Sequence, residues 1–284
     1  MSASTAPSPR LPSGLLARDV TVAYDGADVV HSAALDLPPG RVTSLIGPNG
    51  SGKSTLLRAI ARLKQPRTAD IVLEQPGGDP VDALALSRPA FARLVTMLAQ
   101  SRPTPAGLSV REVVGFGRHP HRRRFGGSDP HGREAVERAL ALTGVSGFAD
   151  RGVEALSGGQ LQRVWLACCL AQDTDVLLLD EPTTYLDLRY QVEILDLVRE
   201  LADDHGVTIG MVLHDLDQAA AVSDRVVLLS AGRVVAAGHA AEVYDPELLT
   251  EVYGIRIHVE PDALSGAPRT RAVGRHTLRT ERTP

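Results

Sequence analysis

The sequence predicts an α/β fold in which helices cover a mostly parallel β-sheet. Apolar segments of strand length alternate with segments of helical periodicity through much of the chain, and this alternation is typical of parallel sheets. Two additions are expected: an antiparallel β portion at the start of the chain and an α-helical subdomain over about residues 101–165. With 284 residues, the chain has room for one large domain or two small ones.

The antiparallel portion is predicted from the first strands. Residues 16–24 alternate apolar and polar side chains, which favours a half-exposed strand, and Asp25-Gly26 supplies a turn. A second short strand is expected over 33–37 and a further one over 70–74. Alternating strands of this kind pack one face on a core and leave the other to solvent.

The remaining elements are predicted in order from apolar runs, caps and breakers. Ser109 and Glu112 form a capping box that starts a helix. Asp129, with Pro130 in the first turn, starts another helix that ends at Gly144. We expect further strands over 41–46, 94–98, 176–179 and 207–213, further helices over 54–60, 157–172, 188–202 and from about 215, and a hairpin over 225–237.

A glycine-rich loop between the strand over 41–46 and the helix over 54–60 predicts a phosphate-binding site. Its glycines let successive N–H groups point at a polyphosphate, and the helix that follows adds partial positive charge. Lys53 supplies a charge for the β- and γ-phosphates, and the Ser54 hydroxyl is placed to bind Mg²⁺. A chance glycine-rich turn is disfavoured by the full spacing and both flanks. The predicted nucleotide-binding residues are Gly47, Pro48, Asn49, Gly50, Ser51, Gly52, Lys53, Ser54 and Thr55.

Two carboxylates follow the apolar strand over 176–179. A buried strand would deliver Asp180 to the Mg²⁺ ion, and Glu181 would then lie where it could polarise a water for attack on the γ-phosphate. Acids at a strand end can be simple surface charge. Their position downstream of a phosphate-binding loop and directly before Pro182 favours catalysis instead.

A second candidate anion site begins the helix over 157–172. Ser157 and the two glycines after it expose N–H groups at a helix N-terminus, just before Gln160. A single fold has little use for two γ-phosphate sites on one nucleotide unless they come from different subunits. The segment therefore indicates a site shared between two copies of the chain.

These segments, in this order, resemble the motifs of ATP-binding-cassette (ABC) ATPases. The matches are the phosphate loop as Walker A, 156–160 as the signature segment, 176–181 as Walker B, Gln100 as the Q-loop, Leu186-Asp187 as the D-loop and His214 as the H-loop. Tyr24 falls where the family stacks an aromatic ring on adenine. The resemblance covers roughly residues 15–256.

The resemblance implies an ATPase that uses ATP and Mg²⁺ and works as a homodimer. In the family, two subunits face each other head to tail, so part of each ATP site comes from the partner. The residues implied to contact the partner's ATP are Ser157, Gly158, Gly159, Gln160 and Asp187. Catalytic roles are implied for Glu181, His214 and Gln100, and metal-binding roles for Ser54, Gln100 and Asp180.

The resemblance also implies partners at a membrane. A transmembrane permease would contact the Q-loop region and the helical subdomain, and an extracytoplasmic substrate-binding protein would act through that permease. The sequence lacks an apolar run of about 18 residues and a signal-peptide core, so we expect a soluble subunit on the cytoplasmic face of the inner membrane. A net charge of −4 argues against nucleic acid as a partner.

A finer resemblance concerns the cargo. Residues 117–121 and 180–191, with Tyr185, are similar to the ATPases of iron–siderophore importers, a group that also includes haem and cobalamin importers. Those two cargoes stay open as alternatives. Soluble cassette ATPases without membrane partners usually carry two cassettes or long coiled-coil inserts, and a P-loop kinase would not need the signature segment.

The two ends of the chain are expected to lie outside the ATPase domain, which is predicted over 14–258. Residues 1–13 are small, polar and rich in proline, which predicts disorder. Residues 259–284 contain five arginines and little apolar content, which predicts a basic, solvated tail, with contact to anionic lipid as the alternative.

Overall fold

Twelve strands and nine α-helices make up the part of the chain that the computed structural model describes, residues 13–100, 105–122 and 129–274. The strands are β1 (Gly14–Tyr24), β2 (Ala27–Leu37), β3 (Val42–Ile46), β4 (Thr68–Glu74), β5 (Val81–Asp82), β6 (Val95–Leu98), β7 (Val176–Asp180), β8 (Thr208–Val212), β9 (Arg225–Ser230), β10 (Arg233–Gly238), β11 (Arg256–Pro261) and β12 (Pro268–Val273). The helices are α1 (Lys53–Ile60), α2 (Arg88–Phe91), α3 (Val110–Gly115), α4 (Gly132–Leu142), α5 (Gly158–Ala171), α6 (Leu188–Asp203), α7 (Leu216–Val222), α8 (Ala240–Val243) and α9 (Pro246–Tyr253).

The predicted mostly parallel sheet is confirmed. Its strands lie in the order β10-β9-β3-β8-β7-β6, and all neighbours are parallel except the β9–β10 hairpin at one edge. Every residue of β3, β7 and β8 is buried, which explains why these segments are continuous apolar or β-branched runs. Because parallel strands end at the same edge of the sheet, the loops after β3, β6, β7 and β8 lie near one another.

The predicted antiparallel portion is also confirmed, as a sheet in the order β2-β1-β4-β5. β2 starts at Ala27, earlier than predicted, because its pairing with β1 continues from Leu15 opposite Leu37 to Tyr24 opposite Ala27. The buried face of this sheet packs with α1 and with one face of the parallel sheet in a single apolar cluster. A second cluster fills the other face of the parallel sheet, under α5, α6 and α7.

The helical region has a small core of its own, formed by buried residues of α3, α4 and α5. The capping box of Ser109 and Glu112 is present at the start of α3. α5 runs from Gly158 to Ala171, which confirms the helix predicted over 157–172. Residues 101–104 and 123–128 of this region lie outside the described residues.

The predicted start of the helix at Asp129 is wrong. α4 begins at Gly132, and His131 is the residue that precedes it. The carboxylate of Asp129 accepts two hydrogen bonds from the Arg118 guanidinium, at 2.7 Å and 3.1 Å, and one from the backbone N–H of His131. Arg118 is buried and also donates to the carbonyl oxygen of Ala171, so this ion pair fastens the segment before α4 to the end of α5.

The described part of the chain begins inside the segment predicted to be disordered. Ser13 is 3% exposed, its hydroxyl donates to Asp175 Oδ2 (2.7 Å), and its carbonyl oxygen accepts from Thr208 Oγ1 (2.7 Å). The prediction of disorder is thus wrong for Ser13. Residues 1–12 lie outside the described residues.

The structure also differs from the solvated tail expected after residue 258. β11 and β12 form an antiparallel hairpin, and Thr270 on β12 donates from its N–H and its hydroxyl to Asp217 Oδ1 on α7, at 2.7 Å and 2.8 Å. Arg269 adds ion pairs to Asp217 and Asp262. Residues 275–284 lie outside the described residues.

The described residues contain neither a candidate membrane span nor a cluster of metal-binding side chains. No helix there is long and apolar enough to cross a bilayer. Nor do three or more histidine, cysteine or acidic side chains gather there as ligands for a metal ion. His121 has its Nε2 atom 2.7 Å from the carbonyl oxygen of Gln172.

Candidate functional site

The glycine-rich loop leaves the buried strand β3 and turns sharply into α1. Gly47, Gly50 and Gly52 have φ values of +140°, +77° and +98°, a backbone region that favours glycine. At Gly47 the requirement is also steric, because a Cβ atom there would lie 2.1 Å from the carbonyl oxygen of Leu229 on β9. The loop therefore needs glycine to pass this close to the neighbouring strand.

Neighbouring backbone holds the loop in place. The N–H of Gly232, in the turn between β9 and β10, donates to the carbonyl oxygen of Ser51 (3.0 Å). The carbonyl oxygen of Gly232 in turn accepts from the N–H of His31 on β2 (2.9 Å). Both sheets thus contribute to fixing the shape of the loop.

Lys53, the first residue of α1, points back into this loop. It is 5% exposed, and its Nζ donates to the carbonyl oxygens of Gly47 (2.8 Å) and Pro48 (2.9 Å). Burial lowers the pKa of Lys53, while the charges of Glu181 and Asp180 oppose that shift. An anionic ligand in the loop would add to the negative charge near this buried ammonium and favour its charged form.

Asp180, the last residue of β7, is 1% exposed. Its Oδ2 accepts a hydrogen bond from Arg58 Nη2 on α1 at 2.9 Å, while its Oδ1 is buried without a hydrogen-bond partner among the described residues. A buried, unpaired carboxylate oxygen is costly unless something binds it. Sequence reasoning missed Arg58, although a basic residue among the apolar residues 56–60 of α1 was a usable signal.

Side chains that follow three parallel strands contact the carboxylate of Glu181. His214, after β8, lies with Nε2 2.6 Å from Glu181 Oε1. Gln100, after β6, donates from Nε2 to Glu181 Oε2 at 2.5 Å, and the Thr184 hydroxyl donates to the same oxygen at 3.2 Å. The structure thus brings together the three residues predicted to be catalytic, which are far apart in sequence.

Tyr24 ends β1 with its ring 40% exposed. The ammonium of Lys64 lies 3.8 Å from the centre of that ring, a cation–π contact that sequence reasoning missed. An exposed aromatic ring of this kind is available for stacking on a planar ligand.

The signature segment is built differently. Ser157 caps α5: its hydroxyl accepts from the N–H of Gln160 (3.3 Å), and Gln160 Oε1 accepts from the N–H of Ser157 (3.0 Å). Ser157 and Gly158 are exposed, and one turn further on Gln162 Nε2 donates to the carbonyl oxygen of Pro182 (3.1 Å). The start of the segment is exposed at Ser157 and Gly158, and Gln162 anchors it to the loop after β7.

Side-chain amides hold the loop that follows Glu181. Gln218 on α7 donates from Nε2 to Gln191 Oε1 on α6 (2.9 Å), and the Thr183 hydroxyl donates to Gln218 Oε1 (3.2 Å). Gln191 Nε2 donates to the carbonyl oxygen of Leu186 (3.0 Å), one residue before Asp187, which caps α6. Sequence reasoning assigned these amides no role, because their contacts join elements far apart in the chain.

A known family model covers the phosphate loop, Gln100, the signature segment and Glu181. The family model described as ABC transporter matches residues 30–184. The chain belongs to the ABC transporter family. The resemblance noted from the sequence is thereby confirmed, and with it the assignment of the protein as an ATPase.

Three curated relatives from this ABC family have names that state a cargo. The ferric enterobactin transport ATP-binding protein FepC of Escherichia coli is 39% identical over 261 residues, 92% of this chain and 94% of the relative. The iron(3+)-hydroxamate import ATP-binding protein FhuC of Bacillus subtilis is 40% identical over 90% of this chain and 93% of its own. The cobalamin import ATP-binding protein BtuD of Halobacterium salinarum is 42% identical over 84% of this chain and 58% of its own.

Solved structures of ABC proteins share the fold. A transporter described as being of the metal-chelate type, in an inward-facing conformation, aligns with a TM-score of 0.80 and 24% identity over 94% of this chain and all of that chain. A dimeric ATP-binding cassette in a post-hydrolysis state, bound to ADP and Pi, aligns with a TM-score of 0.67 and 26% identity over 79% of this chain and 98% of that one. The predicted P-loop ABC ATPase fold is confirmed.

Proposed function

We propose that this ATPase powers an importer of ferric siderophore complexes. The observation that carries the proposal is the identity of about 40% over most of the chain with FepC and FhuC, whose names state ferric enterobactin and iron(3+)-hydroxamate. A second candidate cargo is cobalamin, because BtuD is similarly identical over its matched part.

Within one subunit, we propose that the phosphate loop binds the ATP phosphates. The N–H groups of the loop, to which Pro48 contributes none, would face the phosphate oxygens, and Lys53 would turn from its carbonyl contacts to the γ-phosphate. Tyr24 would stack on the adenine ring. The exposed ring of Tyr24 and the buried ammonium of Lys53 inside the loop support these assignments.

For hydrolysis, Glu181 would act as the general base toward the attacking water. His214 and Gln100, both within hydrogen-bond distance of its carboxylate, would orient that carboxylate and the water. The donors reach Glu181 from two neighbouring strands, so the base is held from both sides.

We further propose that Mg²⁺ is held by Ser54, Asp180 and Gln100. The unpaired Oδ1 of Asp180 fits this role, because hydroxyl and carboxylate oxygens are the donors that this ion prefers. When bound, the ion would neutralise charge on the phosphates. Arg58 donates a hydrogen bond to the other carboxylate oxygen of Asp180, Oδ2, so Oδ1 is the oxygen available to bind the metal.

The complete site would require a second copy of the chain. Ser157, Gly158, Gly159, Gln160 and Asp187 of one subunit would contact ATP bound to its partner. The exposure of Ser157 and Gly158 at the start of α5 supports this arrangement, and the capping box holds that end of the helix in shape. A membrane permease, and through it a substrate-binding protein, would complete the importer at the cytoplasmic face of the membrane.

Transport by a strain that lacks this gene tests the proposed cargo. We expect such a strain to lose uptake of radiolabelled iron supplied as ferric enterobactin or a ferric hydroxamate. The wild-type gene should restore uptake and Lys53→Ala should not. Normal uptake of every ferric siderophore together with lost cobalamin uptake would reject iron–siderophore import in favour of the second candidate.

A further inference from the structure

The second glycine of the signature segment lies directly under an aromatic ring. A Cβ atom at Gly159 would meet three ring carbons of Tyr190 at 2.6, 2.7 and 2.8 Å. Gly158, one residue earlier, has nothing within 4 Å of the equivalent position. The contact with Tyr190 therefore requires glycine at position 159, whereas a Cβ atom at position 158 would meet open space.

Tyr190 is also tied to the D-loop through its backbone. Its N–H donates to Asp187 Oδ1 at 3.1 Å, the hydrogen bond that caps α6. One residue thus touches the signature segment with its ring and Asp187 with its amide. The two segments that would face the partner's nucleotide are connected through the first turn of α6.

Charged side chains support the ring on the side of α5. The guanidinium of Arg163 lies 5.6 Å from the centre of the Tyr190 ring. Arg163 also forms an ion pair with Glu193 on α6, and Glu193 accepts from Arg189 Nε at 2.8 Å. The side chains of Arg163 and Glu193 are mostly buried, so α5 and α6 are joined beside the ring.

We propose that Tyr190 is a positioning residue that sets the distance between the signature segment and Asp187. Its ring supports Gly159 from below, so the N–H groups at the start of α5 and the carboxylate of Asp187 move as one unit toward the nucleotide of the partner subunit. This inference rests on the proposed dimeric site. Tyr190 contacts no part of the phosphate loop, so it acts on turnover and on dimer closure and leaves nucleotide binding by the single subunit unchanged.

The test compares Tyr190→Ala, which removes the ring, with Tyr190→Phe, which keeps it. Asp196→Ala, an exposed change further along α6, is the matched control. We expect Tyr190→Ala to lower kcat about tenfold or more, as misplacement of a reacting group does, while Tyr190→Phe retains wild-type turnover. The affinity of each variant for a fluorescent ATP analogue, measured on the single subunit, should equal that of the wild type.

A second measurement uses the Glu181→Gln background, in which ATP should hold the dimer closed. Adding Tyr190→Ala should weaken the ATP-dependent dimer in analytical ultracentrifugation, and adding Asp196→Ala should not. Unchanged kcat and dimer affinity in Tyr190→Ala would overturn the positioning role, as would an equal loss in Tyr190→Phe or a matching loss of nucleotide affinity. Failure of Glu181→Gln alone to dimerise with ATP would instead count against the proposed dimeric site.

Discussion

The two halves of the candidate ATP site are built in opposite ways. The phosphate-loop half, residues 47–55 with Asp180 and Glu181, is enclosed: Lys53 and Asp180 are 5% and 1% exposed, and strands of both sheets hold the loop. The signature half, residues 156–160 with Asp187, is exposed at Ser157 and Gly158 and is capped by its own side chains. Contacts within the subunit hold the phosphate-loop half in shape, whereas the signature half lies exposed at the surface of the subunit.

The largest expected effect is a loss of ATP turnover, without a matching loss of nucleotide affinity, in the phosphate-loop half. Glu181→Gln removes the proposed base but keeps its size, so we expect turnover to fall by about 100-fold or more. Nucleotide affinity should stay within about twofold of wild type, because Lys53 and the loop are untouched. Phosphate release and fluorescent-nucleotide titration measure the two quantities. Glu200→Gln, an exposed change on α6, is the control; equal activity of both variants would remove Glu181 from catalysis.

A second pair of variants tests how tightly the loop is enclosed. Gly47→Ala places a Cβ atom 2.1 Å from the Leu229 carbonyl oxygen, so we expect the loop to distort and nucleotide affinity to fall at least about tenfold. At Gly50 a Cβ atom has open space, and only the positive φ of +77° opposes the change, at a cost of about 1 kcal/mol. Isothermal titration with ATP compares the two. Equal losses would mean that backbone conformation, and not the approach to β9, limits the loop.

The third prediction concerns the ion pair that fastens the helical region. Asp129→Asn leaves the buried Arg118 guanidinium without its countercharge, which should lower the free energy of unfolding of this region by about 3 kcal/mol. Hydrogen bonds from Arg118 hold the pKa of Asp129 below its ordinary value of 3.8. Nucleotide affinity should be unaffected, because the pair lies outside the phosphate-loop half.

The stabilisation from that ion pair has a defined pH dependence. Because the folded-state pKa of Asp129 is lowered, its contribution is complete well above pH 3.8 and is lost as the pH falls through the lowered pKa. The difference in stability between wild type and Asp129→Asn should therefore shrink in that acidic window. Denaturant titrations at several pH values measure it, and a difference that grows toward acid would contradict the assignment.

The smallest expected effect compares two helix caps. Ser157→Ala and Ser109→Ala each remove a capping box, so each should cost about 1 kcal/mol of stability. Only Ser157 belongs to the signature half, so only its substitution should also reduce ATPase activity. Denaturation midpoints and phosphate release, measured on both variants, check the two parts. Equal loss of activity would show that α3 matters to catalysis as much as the signature segment does.

The elements that sequence analysis predicted well are those with local signals. The phosphate loop, the buried strand before Asp180 and the cap at Ser157 are specified by neighbouring residues, and the structure contains all three. Asp129 was assigned to a cap because nothing nearby in sequence shows its pairing with Arg118. The partner of the Asp129 carboxylate, Arg118, lies 11 residues earlier in the chain.

The missed features depend on contacts between distant segments. Arg58 and Asp180 are 122 residues apart, and Thr270 and Asp217 are 53 apart. The arginine-rich stretch after residue 258 lacks the apolar content that predicts strands, yet it forms a hairpin because α7 supplies the acceptor for Thr270. Catalytic residues could be proposed from motif order, whereas their convergence on Glu181 required the strand order of the sheet.

The strand order has a consequence for synthesis of the protein. β3, which carries the phosphate loop, pairs on one side with β8 and on the other with β9, both made much later. While the chain is still attached to the ribosome, β3 has two unpaired edges until β8 has emerged and one until β9 has emerged, and the Ser51 carbonyl oxygen has no Gly232 N–H to accept from. If translation stopped before the β9–β10 hairpin, the released chain would contain every residue of the phosphate loop. It would lack β9 and the Gly232 N–H, which hold the loop in place.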